Sequence, residues 1–149
     1  MAQENFYTEI YINAKPANVW RTFFSKDGFY KSFYGTEIQS TFFVGDKIEF
    51  TNEMDGQRIV HIYGDILESV ENKILAYTDH PGAIYSDKHA ELISRVRITF
   101  EQLGQATRLT LTNDQFSKDN PLSAKANQWW LILSNLKTFI ETGGLMTLK

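Results

Sequence analysis

The titratable chemistry of this 149-residue chain rests on three histidines, His61, His80 and His89, with no cysteine beside them. Imidazole changes charge near neutral pH. His61, in the segment RIVHIYG, is therefore a candidate for the polar head of a bound molecule, or else an ordinary strand histidine with its hydrogen bonds satisfied. His80 and His89 flank the segment DHPGAIYSDKHA without the spacing of a ligand set, so no metal site is expected. Asp65 and Glu68 stand three apart in an alternating segment, which sends them to opposite faces and removes them as a paired acid and base. Arg95 and Arg97 alternate with apolar residues and are expected to face solvent, pairing with Glu91 or Glu101. There is no Gly-x-Ser-x-Gly turn and no glycine loop for phosphate, so catalysis would need shape plus one or two polar groups.

Composition narrows the partners. A net charge of -3, with fifteen Lys and Arg scattered along the chain, gives no footprint for nucleic acid or an anionic membrane surface. No apolar run approaches the ~20 residues of a membrane span, and no basic start precedes an apolar stretch. A cytoplasmic location, one domain over residues 1–149 and no cofactor are the expectations. Aromatic residues make up 14% of the chain, which means either a core filled by rings or a cavity lined by them.

The elements that must position these groups read mostly as strands. Residues 6–13 alternate, with Phe6, Thr8, Ile10 and Ile12 on one face. Pro16 then opens a short helix that collects Val19, Trp20, Phe23 and Phe24 on one side. A second short helix is expected over 27–35, ended by Gly35. Strands follow at 36–43, 46–52, 57–69, 73–79, 91–102 and 106–114. The short connections at 44–46, 54–57 and 70–72 make hairpins, so neighbours should pair antiparallel.

Asn120 can cap a helix whose first residue is Pro121 and whose end is Gly143 and Gly144. Leu122, Ala126, Trp129, Leu133, Leu136 and Ile140 form one stripe on it, with Trp130 to one side and Ile132 and Phe139 to the other. That apolar face exceeds the ~100° arc a surface helix needs on a flat sheet, so a curved sheet gripping the helix is expected. The order of strand, two short helices, six strands and long helix is that of an α+β helix-grip fold, a curved antiparallel sheet of six to seven strands wrapped around the C-terminal helix.

Four segments carry a resemblance. IYINAKPANVW resembles the opening of the START-like (SRPBCC) superfamily, whose fold is also that of Bet v-like proteins, and GDILESVENKILAYT resembles its central hairpin. ATRLTLTND and QWWLILSNLKTFIETG resemble its penultimate strand and closing helix. Together they are most similar to the branch of the activator of heat-shock protein 90 ATPase. Gln128, Asn113, Phe33 and Glu71 depart from residues common there, and Asn113, where histidine is frequent, weakens the case for proton chemistry.

The resemblance implies a pocket between sheet and long helix for a hydrophobic or amphipathic small molecule, lipid-like or polycyclic. Alternation makes Leu92, Ser94, Val96, Ile98, Leu109 and Leu111 inward candidates facing Trp129, Trp130 and Leu133. Phe29, Phe33, Ile84 and Tyr85 are expected at the rim, and His61 or Asn113 at the ligand's polar group. All of these could equally be plain core. A binding protein is the preferred reading, ahead of a co-chaperone acting on a heat-shock protein 90 type ATPase through its surface and of a pocket enzyme of cyclase or hydrolase type. A monomer or weak homodimer is expected, Tyr7 and Tyr11 being outward rings that could meet a second copy.

Overall fold

A computed structural model of the chain describes residues 5–26, 28–33 and 35–147. Seven strands form one antiparallel sheet: β1 (Phe6–Ile12), β2 (Glu37–Ser40), β3 (Lys47–Met54), β4 (Gln57–Val70), β5 (Ile74–Pro81), β6 (Ser94–Leu103) and β7 (Ala106–Asp114). Their order across the sheet is β1-β7-β6-β5-β4-β3-β2, so the first strand closes against the last and the rest form a meander. Between β1 and β2 lie α1 (Pro16–Phe23) and α2 (Phe29–Ser32), and α3 (Gln128–Thr142) ends the fold. Register shifts at Phe50/Thr51 and Ile66/Glu68 bend β3 and β4, as an extra residue in one strand of a pair does. This is the helix-grip architecture expected from the element order.

The period-2 pattern holds best in the central strands. Ser94, Val96, Ile98 and Phe100 of β6 are buried, as are Thr107, Leu109, Leu111 and Asn113 of β7. The register sets Val96 opposite Asn113 and Ile98 opposite Leu111, so the two rows share one face. Against that face pack Val19, Trp20 and Phe23 of α1, Phe29 of α2, and Ile132, Leu133 and Leu136 of α3. Rings fill much of this layer: Trp20 meets Phe100 edge-on at 5.2 Å, and Phe23 stacks on Phe29 at 5.7 Å.

Several expected boundaries move. The helix anticipated from Pro121 is broken: residues Pro121–Lys125 form a 3-10 turn, and α3 begins only at Gln128. Asn120 does cap the turn, its side chain accepting from the Leu122 amide at 3.0 Å. Its carbonyl, however, is taken by both the Ser123 amide and the Ser123 hydroxyl, a local bonding pattern that tightens the turn and competes with the α ladder. Gly143 ends α3 in the left-handed conformation, as anticipated, with φ 80°.

Over the expected second helix only one turn forms, and Asp27 and Tyr34 of that segment lie outside the described residues. β2 ends at Ser40 because Phe42 takes φ 62°, and β6 starts at Ser94 rather than residue 91. The outer arginines find partners across the sheet: Arg95 pairs with Asp114 at 2.9 Å and Arg97 approaches Glu68 at 3.9 Å, not Glu91 or Glu101. In the antiparallel register Asp114 is directly opposite Arg95, which decides the pairing.

Candidate ligand pocket

A cavity of about 110 Å³ opens between the sheet and the segment leading into α3. Phe29 and Phe33 close one side, Phe50, Ile62 and Tyr77 line it from the sheet, and Leu122, Ala126, Trp129 and Ile132 cover it from the C-terminal segment. Lys125 and Gln128, both exposed, also contribute to the wall. The aromatic walls touch one another: Phe29 meets Phe33 at 5.6 Å and Phe50 at 5.7 Å, and Phe50 meets Tyr77 at 5.8 Å.

Besides the exposed Lys125 and Gln128, two buried polar side chains interrupt the apolar lining, Asp79 of β5 and Asn113 of β7. Behind them Ser94 joins the two. Asn113 Nδ2 donates to Ser94 Oγ and to the Arg95 carbonyl, both at 3.0 Å. The Ser94 hydroxyl points on to Asp79 Oδ2 at 3.5 Å, longer than the ~2.5–3.0 Å of an ordinary O–H···O bond. Asp79 Oδ1 is buried and has no protein partner. Asp79 is only 7% exposed, and its burial pushes the carboxyl up to about 7, a rise that the Ser94 hydroxyl partly opposes. A carboxyl poised near neutrality can accept a hydrogen bond or exchange a proton with a bound molecule. Next to it, the Tyr77 hydroxyl is held well above its ordinary range, first by burial and then by the Asp79 charge.

The residues expected at the site separate into groups. Phe29, Phe33, Asn113 and Trp129 line the cavity, and Ser94 lies one hydrogen bond behind it. Val96, Ile98, Leu109, Leu111 and Leu133 are fully enclosed in the core below, where layers pack without space for a ligand. Trp130 corrects the expectation that it faces inward: it is 55% exposed, packs on Phe6 at 5.2 Å and donates its indole N–H to Thr8 Oγ1 at 3.1 Å. The adjacent Trp129 takes the cavity side because neighbours on a helix diverge by about 100°.

His61 is likewise off the cavity. Ile62 lines it, whereas His61 is the extra residue of the β4 bulge, where Phe50 pairs with Ile62 and Thr51 with Val60. There its Nε2 contacts Asn52 Oδ1 at 2.8 Å and its Nδ1 bonds the Tyr85 hydroxyl. Burial holds this imidazole below its ordinary range. Ile84 and Tyr85, 61% and 56% exposed, belong to the loop between β5 and β6 and do not line the cavity. Leu92 ends the same loop, its carbonyl accepting from His80 Nδ1 at 2.9 Å, while Tyr63 and His89 are hydrogen-bonded at 2.6 Å. Among the described residues no group of three His, Asp or Glu side chains converges as a metal site would require.

Sequence reasoning passed over Asp79, although Leu75, Tyr77 and Asp79 share a face at period 2 and an acid there extends an apolar row. Tyr77, Phe50 and Ile62 carried no distinguishing signal, since each equally suits plain core.

Residues 13–141 match the family model described as Activator of Hsp90 ATPase homolog 1-like protein. No curated protein matches the chain in sequence. Among solved structures it is similar to ChR145 from Cytophaga hutchinsonii, with a TM-score of 0.74 and 23% identity over 96% of this chain and 97% of that one. The Aha1 dimer from Colwellia psychrerythraea matches with a TM-score of 0.68 and 18% identity over 94% of this chain and 98% of that one. PFC0360w, described as an HSP90 activator from Plasmodium falciparum, gives a TM-score of 0.68 and 15% identity over 92% and 96% of the two chains. At these identities the likeness is one of fold.

Proposed function

The chain belongs to the Activator of Hsp90 ATPase homolog 1-like family, and from that premise we propose that it binds a small amphipathic molecule in the cavity between sheet and C-terminal segment. The observation that carries this reading is the buried Asp79 carboxyl, with one oxygen unpartnered, in the wall of an otherwise aromatic and aliphatic cavity. A buried polar atom without a partner costs free energy, and a ligand that supplies the missing donor recovers it. The apolar walls add affinity at roughly 25 cal/mol per Å² of hydrocarbon buried, and the polar group fixes orientation.

Size selects among ligands. A volume of about 110 Å³ is near that of an engineered cavity of about 150 Å³ that takes benzene, so one ring or a short chain fits as the walls stand. A lipid-like or polycyclic ligand requires the half-buried Phe33 and Trp129 to swing outward. Native mass spectrometry of the purified protein, with titration of small aromatic alcohols, amines and acids against Trp129 fluorescence, tests the reading. Saturable binding that Ala126→Phe abolishes by filling the cavity supports it. No binding of any compound to a protein that unfolds cooperatively rejects it.

A second reading follows from family membership together with the exposed Phe43 and Val44 between β2 and β3, which are 71% and 64% exposed. In this reading the outer surface docks on a chaperone and stimulates its ATPase. Phe43→Ser with Val44→Ser should then abolish stimulation of a heat-shock protein 90 type ATPase. An unchanged rate on adding the wild-type protein removes the reading.

A further inference from the structure

We infer that the ligand of this cavity is a small organic cation, an alkyl- or arylalkylammonium whose N–H donates to Asp79 Oδ1; this rests on the cavity being a binding site. The first argument is the missing counter-charge. Ser94 from β6 offers a neutral hydroxyl, and behind it Asn113 from β7 offers an amide already spent on Ser94 Oγ and the Arg95 carbonyl. Tyr77, on the same strand, is a neutral phenol. The one cation among the described lining residues is Lys125, exposed in the segment before α3, while Asp79 Oδ2 meets Ser94 and Oδ1 has no hydrogen-bond partner. A buried carboxyl without a cation carries a charge deficit that an incoming ammonium fills, with charge-assisted bonds stronger than neutral ones.

The second argument is the wall. Phe29, Phe50, Tyr77 and Trp129 present rings to the same space, and ring faces attract a cation within about 6 Å, most strongly where water is excluded. An anionic ligand meets the opposite arrangement, an acid in an aromatic wall. A neutral apolar ligand gains the burial but leaves Asp79 Oδ1 unpartnered. The volume limits the cation to one ring or a short alkyl group.

The position of Asp79 gives the binding a pH signature. Because burial holds its carboxyl near 7, an ammonium binding below that pH must displace a proton, while above it the carboxylate is already formed. Affinity for a cation therefore rises about tenfold per pH unit up to about 7 and then levels off. Affinity for an uncharged ligand of the same shape stays flat.

Benzylamine, benzyl alcohol and toluene, matched in shape, separate the possibilities by calorimetric or Trp129 fluorescence titration between about pH 5.5 and about pH 8.5, a range in which benzylamine stays protonated. At the upper end benzylamine should bind at least about tenfold more tightly than toluene, as a charge-assisted hydrogen bond requires. Asp79→Asn should erase both that preference and the pH slope while toluene still binds. Should Asp79→Asn fail to fold, the wild-type pH series decides alone. Benzylamine binding no better than toluene, or binding without a pH slope, overturns the cation assignment and leaves the binding site standing. Failure of all three probes removes the site and the assignment with it.

Discussion

Ser94 stands directly opposite Asp79 in the antiparallel register of β5 and β6, yet its hydroxyl reaches Asp79 Oδ2 only at 3.5 Å and leaves Oδ1 with no protein partner. The strand pairing brings an acid into the core without completing its hydrogen bonding. Buried polar groups in folded proteins are nearly always paired, so such an exception calls for a role.

Asp79 should make the protein less stable as pH rises. Its carboxyl titrates near 3.8 in an unfolded chain and is raised to about 7 in the fold, so between these values the folded state holds the extra proton. The stabilisation is full below about pH 4 and is lost as pH climbs through about 7. Asp79→Asn should then gain on the order of 2–4 kcal/mol over the wild type at about pH 8, a difference that vanishes near pH 4. Urea midpoints for both proteins across that range measure it, and parallel curves contradict it.

The paired tryptophans should behave differently on substitution. Trp130→Ala removes a half-exposed ring, its contact with Phe6 and its bond to Thr8, at a cost of about 1–2 kcal/mol, and leaves ligand binding intact. Trp129→Ala opens the cavity wall and should weaken binding while the protein stays folded. Thermal melts and titrations of the two variants check the contrast, which equal binding losses would contradict.

Gly64 is held by a close approach of β4 to β5. A Cβ built there lies 1.6 Å from the Thr78 carbonyl oxygen, and Thr78 sits between Tyr77 and Asp79 of the cavity wall. Gly64→Ala should cost at least about 3 kcal/mol, because a backbone atom must move. Equilibrium unfolding decides this, and a loss under about 1 kcal/mol would show that the two strands part more easily than their register implies.

The loop at 82–93 should loosen in acid. His61, bonded to Tyr85, is held below the ordinary histidine range by burial, so it contributes stability above about pH 6.5 that is lost as pH falls. Protection of the amides of residues 83–92, taken relative to the intrinsic exchange rate at each pH, should fall below about pH 6 in the wild type, and His61→Phe should flatten that response. An unchanged pH response in the variant would assign the loop's sensitivity elsewhere.

The fold was legible in the sequence because strong periods and end signals carry it. Alternation in β6 and β7, Pro16 at the start of α1 and Gly143 after α3 each reflect a local backbone preference that the tertiary structure left intact. The start of α3 was less so, since Ser123 diverts the Asn120 carbonyl by a side-chain bond that periodicity does not register. The candidate site was legible only in part. Phe29, Phe33, Asn113 and Trp129 lie on faces that alternation or helical spacing points inward, and the cavity uses them. His61 drew attention by residue type, but it is the extra residue of the β4 bulge, and Ile62 beside it lines the cavity. Asp79 gained its character from Ser94 on the next strand and, through it, Asn113 on the strand beyond, which sequence spacing does not bring together.

The measurement that bears most directly on the cavity as a binding site is an amide NMR titration of the labelled protein with benzyl alcohol and benzylamine. Saturable shifts confined to Phe29, Tyr77, Asp79, Trp129 and both amides of Asn113, absent in Ala126→Phe, are the predicted result. Shifts clustered around His61 and Tyr85, or no saturable shifts at all, would contradict it.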